Sequence, residues 1–406
     1  MPAENGSQDD LSLARRHAPI VCFDAREPFL PEMVGYRVAR QPGPSPSFDR
    51  YLSLALPDGR RAATVIEYAL WTDWDIQHLY ELEHVWSYLD DAGQLIFAEA
   101  SWHGRFGALV QGGRLSAEGE RPVAYAQPGK HAMCAAPDLF AGFDAQRESV
   151  ARATGPEAGS MGLLVGKPIA GRIEKTRRRD ALVSAYLRRQ AFVPTFNFSQ
   201  RWDALAAPFL ACEELIDRIP SRLEDWLSRL EAERVERHLW AVLFDLGDTL
   251  MIEETEEKDA TATTQRAELF PGAAELIWRL RAAGYLVGLV ADTRAGTYRN
   301  VLRQHGLEGA FDAFAISEEL GCEKPDRRMF QHALDRLGLT VAESSRVAMV
   351  GNNLSRDVRG ANLSGLLSIW LRHNVRYPIS PSDDLEWPRF EATSCDQVDE
   401  VIRRIG

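Results

Sequence analysis

Residues 239–250 read Leu-Trp-Ala-Val-Leu-Phe-Asp-Leu-Gly-Asp-Thr-Leu, and this stretch decides the fold of the second half of the chain. A continuous apolar run ends in Asp245, and a short polar loop follows. Such a run is typical of a parallel strand that is buried on both faces. Ligands of open parallel sheets bind beyond the carboxyl ends of the strands, where Asp245 would project. Asp245 can therefore be a nucleophile or a metal ligand, or it can only cap a helix.

From Leu239 to the end, the chain alternates between strand patterns and helix patterns. This alternation predicts a doubly wound, Rossmann-like α/β domain with a parallel sheet and right-handed crossovers. We predict strands at 240–245, 286–291, 312–316, 346–350 and 367–371, and helices at 272–284, 295–306, 326–337 and 355–364.

The first part of the chain has a different pattern. From about 18 to 135 it reads as short strands separated by turn clusters, which favours a β-sandwich or a small barrel. Helical periodicity follows. The predicted domains are a disordered tail at 1–16, a mainly β, sandwich-like domain at 17–165, a helical connector at 166–238 and the α/β domain at 239–406.

Composition narrows the classes of function. A chain of 406 residues with 45% hydrophobic and 26% charged residues is an ordinary globular protein with more than one core. Its net charge of −12 argues against nucleic acid or an anionic membrane as the partner. No apolar run has membrane length, no signal peptide pattern is seen, and the five scattered cysteines form no CxxC motif. We expect a cytoplasmic protein that acts on a small molecule, and a homo-oligomer is compatible with the sequence.

Four polar segments of the α/β domain end predicted strands or open predicted helices. In a parallel sheet they can converge on one crevice. A carboxylate nucleophile, a lysine and further oxygen ligands are what Mg²⁺-assisted phosphoryl transfer needs. The segments are 245–249, 291–293, 324–326 and 351–357.

In order and spacing, these segments resemble the motifs of the haloacid dehalogenase-like (HAD) hydrolase superfamily over about 240–375. The resemblance implies that Asp245 is the nucleophile and that Lys324 steadies both the nucleophile and the phosphate. It further implies phosphate binding by Asp292, Thr293 and Lys324, and Mg²⁺ binding by Asp245, Gly247, Asn352 and Asp357.

Three positions depart from the family pattern. HAD phosphatases normally carry a second aspartate, which protonates the leaving group, where Gly247 stands here; Asp248 follows one residue later. The hydroxyl residue of the second motif is replaced by Ala291, with Thr293 two positions on. Asn352 stands in place of a metal-binding aspartate, and its lost charge should weaken Mg²⁺ binding.

These departures leave three interpretations open. A phosphatase could use Asp248, or a residue of the other domain, as its catalytic acid. A dehalogenase needs no such acid but relies on a substantial cap domain, and the short acidic flap at 251–269 leaves little room for one. A decayed site could serve binding or regulation. We favour a phosphatase whose open site is covered, or supplied with substrate, by the N-terminal domain or an oligomer partner.

Residues 71–84 read Trp-Thr-Asp-Trp-Asp-Ile-Gln-His-Leu-Tyr-Glu-Leu-Glu-His and hold a second group of candidate ligands. Such mixed nitrogen and oxygen donors suit a divalent ion such as Mn²⁺, Mg²⁺ or Ca²⁺. A solvated acidic edge with a core histidine fits the same residues equally well.

The segment at 60–135 resembles the β-sandwich of the Nep-like necrosis-inducing proteins and the related vacuolar-sorting-type family. In that family, His, Asp and Glu residues bind a metal. The resemblance therefore implies a divalent metal site in the N-terminal domain, and with it a further hypothesis in which the chemistry occurs there. The implied ligands are Asp75 (or Asp73), His78, Glu81, Glu83 and His103.

Overall fold

A computed structural model describes residues 8–142, 144–373 and 376–406. The chain forms two compact units. The first consists of Met1–Lys175 and Gln190–Leu227, and the second of Thr176–Arg189 and Ser228–Gly406. Residues 1–7 of the predicted tail lie outside the described residues.

The second unit contains a six-stranded parallel sheet with the predicted strand Ala241–Phe244 at its centre. The next two strands of the sheet in sequence lie on one side of this central strand, and the last three lie on its other side. A topological switch point therefore lies beside Asp245. In spatial order the strands are Ala313–Ile316, Leu286–Ala291, Ala241–Phe244, Val347–Gly351, Leu367–Leu371 and Phe390–Ala392.

Both faces of this sheet are buried, because side chains that alternate along the central strand enter two separate cores. Val242 and Phe244 pack in one core, while Ala241 and Leu243 pack in the other. The predicted α/β fold is therefore confirmed. The main helices are Ala273–Ala282, Ala295–Gln304, Arg327–Arg336, Arg359–Leu363 and Cys395–Ile405.

The first unit is rich in strands, as predicted. Its two main sheets share one hydrophobic core, to which Val21 and Trp202 contribute from one sheet and Ile66 and Val85 from the other. One sheet contains Ile20–Phe23, Ala117–Glu118, Arg121–Ala126, Met133–Cys134 and Gln200–Asp203; the other contains Met33–Ala39, Thr64–Asp75, His78–Leu89, Leu95–Trp102, Arg105–Ala108, Gly162–Leu163 and Phe209–Ala211.

The predicted disordered tail needs correction. Residues 8–16, which were predicted as part of a disordered tail, form the helix Gln8–Arg16. This helix is ordered because Ala14 is buried and its carbonyl oxygen accepts a hydrogen bond of 2.7 Å from the Tyr68 hydroxyl.

The predicted helical connector at 166–238 is neither purely helical nor a separate segment. It contains the helices Arg177–Arg189 and Cys212–Glu236, but Gln200–Asp203 and Phe209–Ala211 are strands of the first unit's sheets. The helix Arg177–Arg189 belongs to the second unit, where the buried Arg188 forms an ion pair with Asp312. No helix in the described part of the chain is long and apolar enough to span a membrane.

Candidate functional site

The carboxyl ends of three neighbouring strands bring the predicted site residues of the second unit together. Asp245 follows Ala241–Phe244, and its N–H donates to the carbonyl of Val350 at 3.0 Å. Asp292 and Asn352 follow the two flanking strands. A cavity of about 250 Å³ opens at this edge. Its lining includes Asp245, Gly247, Ala291, Asp292, Thr293, Lys324, Asn352 and Asp357.

Lys324 lies at the centre of the site. Its Nζ is 2.5 Å from Asp245 Oδ1 and 2.7 Å from Asp357 Oδ1, and only 2% of its side chain is exposed. Its backbone N–H donates to Asp292 Oδ1 at 2.9 Å, which holds the residue from a third side. Lys324 therefore lies where it can orient the carboxylate of Asp245, the predicted nucleophile.

Burial is the largest single influence on the pKa of each partner in this pair, but it decides the direction of the shift only for Asp245. It lowers the pKa of Lys324, but the carboxylates of Asp245 and Asp357 outweigh it, and the pKa rises above its usual value. Burial raises the pKa of Asp245 to about 7, against the opposing effect of the Lys324 ammonium. Lys324 is therefore charged at neutral pH, and additional positive charge beside Asp245 would favour its ionised form.

The oxygen donors that a hard cation needs lie on the same cavity. Asp245 and Asp357 offer carboxylates, Asn352 an amide oxygen, and Gly247 can offer only its backbone carbonyl. The N–H of Asn353 donates to Asp357 Oδ2 at 2.9 Å and orients that carboxylate. All-oxygen donors suit Mg²⁺, so these residues fit the ion, although Asn352 brings no charge.

Thr249 is a member of the site that the sequence analysis missed. Its buried hydroxyl oxygen lies 3.4 Å from Asp245 Oδ2 and accepts the N–H of Asn352 at 3.2 Å. It thereby links the loop after the central strand to the loop after the neighbouring strand. Its position in the polar loop 245–249 is the sequence feature that could have identified Thr249 as a site residue.

Asp248 does not line the cavity, contrary to its predicted role as a catalytic acid. The residue adopts a positive φ of 49°, and its carboxylate is used elsewhere. Oδ1 accepts the N–H of Glu253 at 3.0 Å, and Oδ2 lies 2.9 Å from the Arg376 guanidinium. The left-handed turn therefore directs this side chain toward a structural ion pair.

Glu253 lines the cavity in its place, although the sequence pattern predicted no role for this residue. It begins the short helix Glu253–Thr255 of the acidic flap. Burial, and then the neighbouring Asp248, raise the pKa of Glu253, while Arg376 opposes the rise. The flap continues as the hairpin Glu257–Lys258 and Thr264–Arg266, which agrees with the expectation of a short insertion.

Comparison with known proteins identifies the family. A family model described as haloacid dehalogenase-like hydrolase matches residues 147–365, more than half of the chain. The chain belongs to the haloacid dehalogenase-like hydrolases. The HAD resemblance of the motifs is thereby confirmed.

Several curated proteins are similar to part of this HAD-like hydrolase. A glyceraldehyde 3-phosphate phosphatase of Methanopyrus kandleri is 30% identical over 137 residues, 34% of this chain and 58% of that protein. A phosphoserine phosphatase of Thermus thermophilus is 35% identical over 112 residues, 28% of this chain and 44% of that protein. An (S)-2-haloacid dehalogenase of Burkholderia cepacia is 31% identical over 109 residues, 27% and 46% of the two chains. The chain spans about half the length of the curated relatives it matches.

The first unit of the HAD-like hydrolase holds a second cluster of candidate ligands. Asp75, His78 and Glu81 each place one ligand atom within 4.8 Å of the others, the one such group of three among the described residues. His78 Nδ1 lies 2.9 Å from the carbonyl oxygen of Tyr80, so this nitrogen carries the proton. Nε2 is then the acceptor, 3.8 Å from Asp75 Oδ1 and 3.9 Å from Glu81 Oε2.

The other two predicted ligands lie outside this group, although they line the same cavity of about 1050 Å³. Glu83 accepts a hydrogen bond from the Ser101 hydroxyl, and His103 Nε2 lies 2.7 Å from the side-chain oxygen of Gln127. The structure thus brings three of the five residues together. The resemblance of this unit to the Nep-like family stays a prediction.

Buried acids outnumber the basic groups of this cluster. Lys130 Nζ lies 2.9 Å from Asp75 Oδ2 and supplies one positive charge. Burial, reinforced by Glu83, raises the pKa of Glu81 well above its usual value. Burial also raises the pKa of Glu83 to about 7, although the Ser101 hydroxyl opposes the shift. Burial lowers the pKa of His78, which favours its neutral, metal-binding form.

The geometry of the second unit predicts that Lys324→Met lowers the free energy of unfolding by about 3–5 kcal/mol, because two buried carboxylates lose their shared cation. Urea unfolding of the full chain measures this difference. Lys258→Met is the matched control, since 48% of that side chain is exposed, and it should cost less than about 0.5 kcal/mol. Equal stability of the two variants would contradict the central position of Lys324.

Proposed function

We propose that this HAD-like hydrolase is a Mg²⁺-dependent phosphatase that acts on a small phosphorylated molecule through an aspartyl nucleophile. The observation that carries the proposal is the contact of 2.5 Å between Lys324 Nζ and Asp245 Oδ1 on a polar cavity. Relatives named as phosphatases of glyceraldehyde 3-phosphate and phosphoserine support it.

The contact leaves one oxygen of the nucleophile available. Lys324 holds Oδ1 of Asp245, whereas Oδ2 has only the long contact of 3.4 Å to Thr249 among the hydrogen bonds of the described residues. Oδ2 can attack phosphorus, and the resulting aspartyl-phosphate is then hydrolysed by water. When bound, Mg²⁺ would neutralise charge on the phosphate and on Asp245.

The cavity also fits an anionic substrate of limited size. Besides Lys324, the side chains of Arg294 and Arg356 line it and add positive charge. Arg356 is oriented by Asp292 at a distance of 3.1 Å. The volume of the cavity, about 250 Å³, lies just below the roughly 300–1,000 Å³ of pockets for drug-sized ligands, which agrees with a small phosphorylated substrate.

Two other interpretations of the same site predict different activities. A dehalogenase would use Asp245 on a carbon–halogen bond, and a similar protein carries that name. A binding or regulatory protein would keep the fold without turnover. A role of the first unit in covering or recruiting the substrate, and a cytoplasmic location, stay predictions from the sequence.

Asp245→Asn should lower phosphate release by roughly a thousand-fold or more, the order expected when a covalent nucleophile is removed. The assay is phosphate release from a panel of small phosphate esters with Mg²⁺ or Mn²⁺. Asp335→Asn, an exposed aspartate of the helix Arg327–Arg336, is the matched control and should retain wild-type rates. Unchanged turnover in Asp245→Asn would refute the assignment, and release of halide but not phosphate would favour the dehalogenase.

We also propose a divalent cation at Asp75, His78 and Glu81. The orientation of His78 supports it, because its Nε2 lone pair faces both carboxylates while Nδ1 is held by a backbone carbonyl. A second hydrogen bond of this kind is usual for metal-binding histidines. The Lys130 ammonium beside Asp75 is the competing source of positive charge.

His78→Ala should therefore bind about one ion fewer per chain than the wild type. The measurement is elemental analysis after equilibration with Mn²⁺ and removal of free ion. His332→Ala, in a helix of the second unit, is the control and should bind as many ions as the wild type. Undiminished Mn²⁺ in His78→Ala would remove the basis of this second site.

A further inference from the structure

The carboxyl group of Glu253 lies where the side chain of residue 247 would be. A Cβ atom added to Gly247 would overlap Glu253 Oε1 and lie 3.1 Å from its Cδ and 3.4 Å from its Cγ. The end of the Glu253 side chain therefore fills the volume that a longer residue at position 247 would enter. Both residues line the cavity that contains Asp245.

Glu253 is held in this place by contacts at both ends. Its backbone N–H donates to Asp248 Oδ1 at 3.0 Å, and its Oε2 forms an ion pair with Arg376. Arg376 is also 2.9 Å from Asp248 Oδ2, so its single positive charge is divided between two carboxylates. At the base of the flap, the N–H of Ile252 donates to the carbonyl of Glu268 at 2.8 Å. These contacts leave Oε1 facing Gly247.

We propose that Glu253 donates and accepts the proton in the phosphatase reaction, in the place of an acid at position 247. This inference rests on the proposed function. Oδ2 of Asp245 forms a bond to phosphorus as the bond from phosphorus to the ester oxygen breaks, and the Glu253 carboxyl gives its proton to that oxygen. The Glu253 carboxylate then takes a proton from the water that attacks the aspartyl-phosphate, which releases inorganic phosphate and restores both residues.

This role makes the reaction depend on the leaving group. An alkyl alcohol leaves readily only when its oxygen receives a proton, whereas p-nitrophenolate is stable enough to leave as an anion. A residue that merely shapes the flap would affect both esters alike. The ratio of the two rates is therefore the diagnostic quantity.

Glu253→Gln keeps the size of the side chain and removes the proton donor. We expect kcat/KM for an alkyl ester such as glycerol 2-phosphate to fall by about a hundred-fold or more, and that for p-nitrophenyl phosphate by less than about five-fold. Glu254→Gln, the neighbouring exposed residue that does not line the cavity, is the matched control and should match the wild type on both esters. Thermal unfolding checks that all variants are folded.

The outcomes separate this inference from the proposed function. An equal loss on both esters in Glu253→Gln, or no loss on either, overturns the role of Glu253 while the phosphatase stands. Wild-type protein that hydrolyses neither these esters nor the wider panel overturns the proposed function and the role together.

A double variant tests whether a carboxyl group at position 247 can replace the carboxyl group of Glu253. In Gly247→Asp/Glu253→Ala, the truncation removes the carboxyl group that the new aspartate would overlap. Its rate on the alkyl ester should exceed that of Glu253→Gln by about ten-fold or more. A rate no higher than that of Glu253→Gln would overturn the claim that Glu253 stands in for an acid at position 247.

Discussion

The candidate active site depends on one interaction, the contact of the buried Lys324 ammonium group with the carboxylates of Asp245 and Asp357. Asp245 and Asp357 end up close together because their strands are neighbours in a parallel sheet, and two buried carboxylates so close repel each other strongly. The Lys324 ammonium group between them relieves this repulsion. The backbone N–H of Lys324 also donates a hydrogen bond to Asp292, which follows a third strand. The ends of three neighbouring strands are therefore held in one geometry.

The same ion pairing sets the chemistry of the site. Because Lys324 donates to one oxygen of Asp245, the carboxylate of this proposed nucleophile is oriented before substrate binds, which lowers the entropy cost of positioning it. The departure at Asn352 removes a negative charge from this end of the sheet, whereas at position 247 the carboxyl group of Glu253 fills the volume that a longer side chain would enter. A site with less negative charge holds a metal ion more weakly but repels a phosphate less. At the proposed Mg²⁺ site, weaker binding of the ion and weaker repulsion of a phosphate would therefore have a common electrostatic origin.

The sequence predicted the parts of the site that depend on the strands. Asp245 and Asn352 directly follow apolar runs, and such runs are recognisable because both faces of the sheet are buried. Asp248 and Glu253 could not be predicted in this way, because one turns outward through a left-handed φ and the other returns to the cavity through the fold of the flap. In the first unit, Gly35 interrupts the apolar pattern of the strand Met33–Ala39, which makes this strand hard to recognise from the sequence. A Cβ there would lie 2.7 Å from Leu215 Cδ2, so close packing requires the glycine.

Charge balance distinguishes the two clusters of the chain. In the second unit, one lysine lies within contact distance of both buried carboxylates and compensates one of their two negative charges. In the first unit, Lys130 pairs with Asp75 alone, and Glu81 and Glu83 lie on the same cavity with raised pKa values. A raised pKa means that a proton supplies the positive charge that the surroundings lack. A divalent cation can supply the same charge, so protons and metal ions compete for this cluster, and its affinity for a cation should increase as the pH rises.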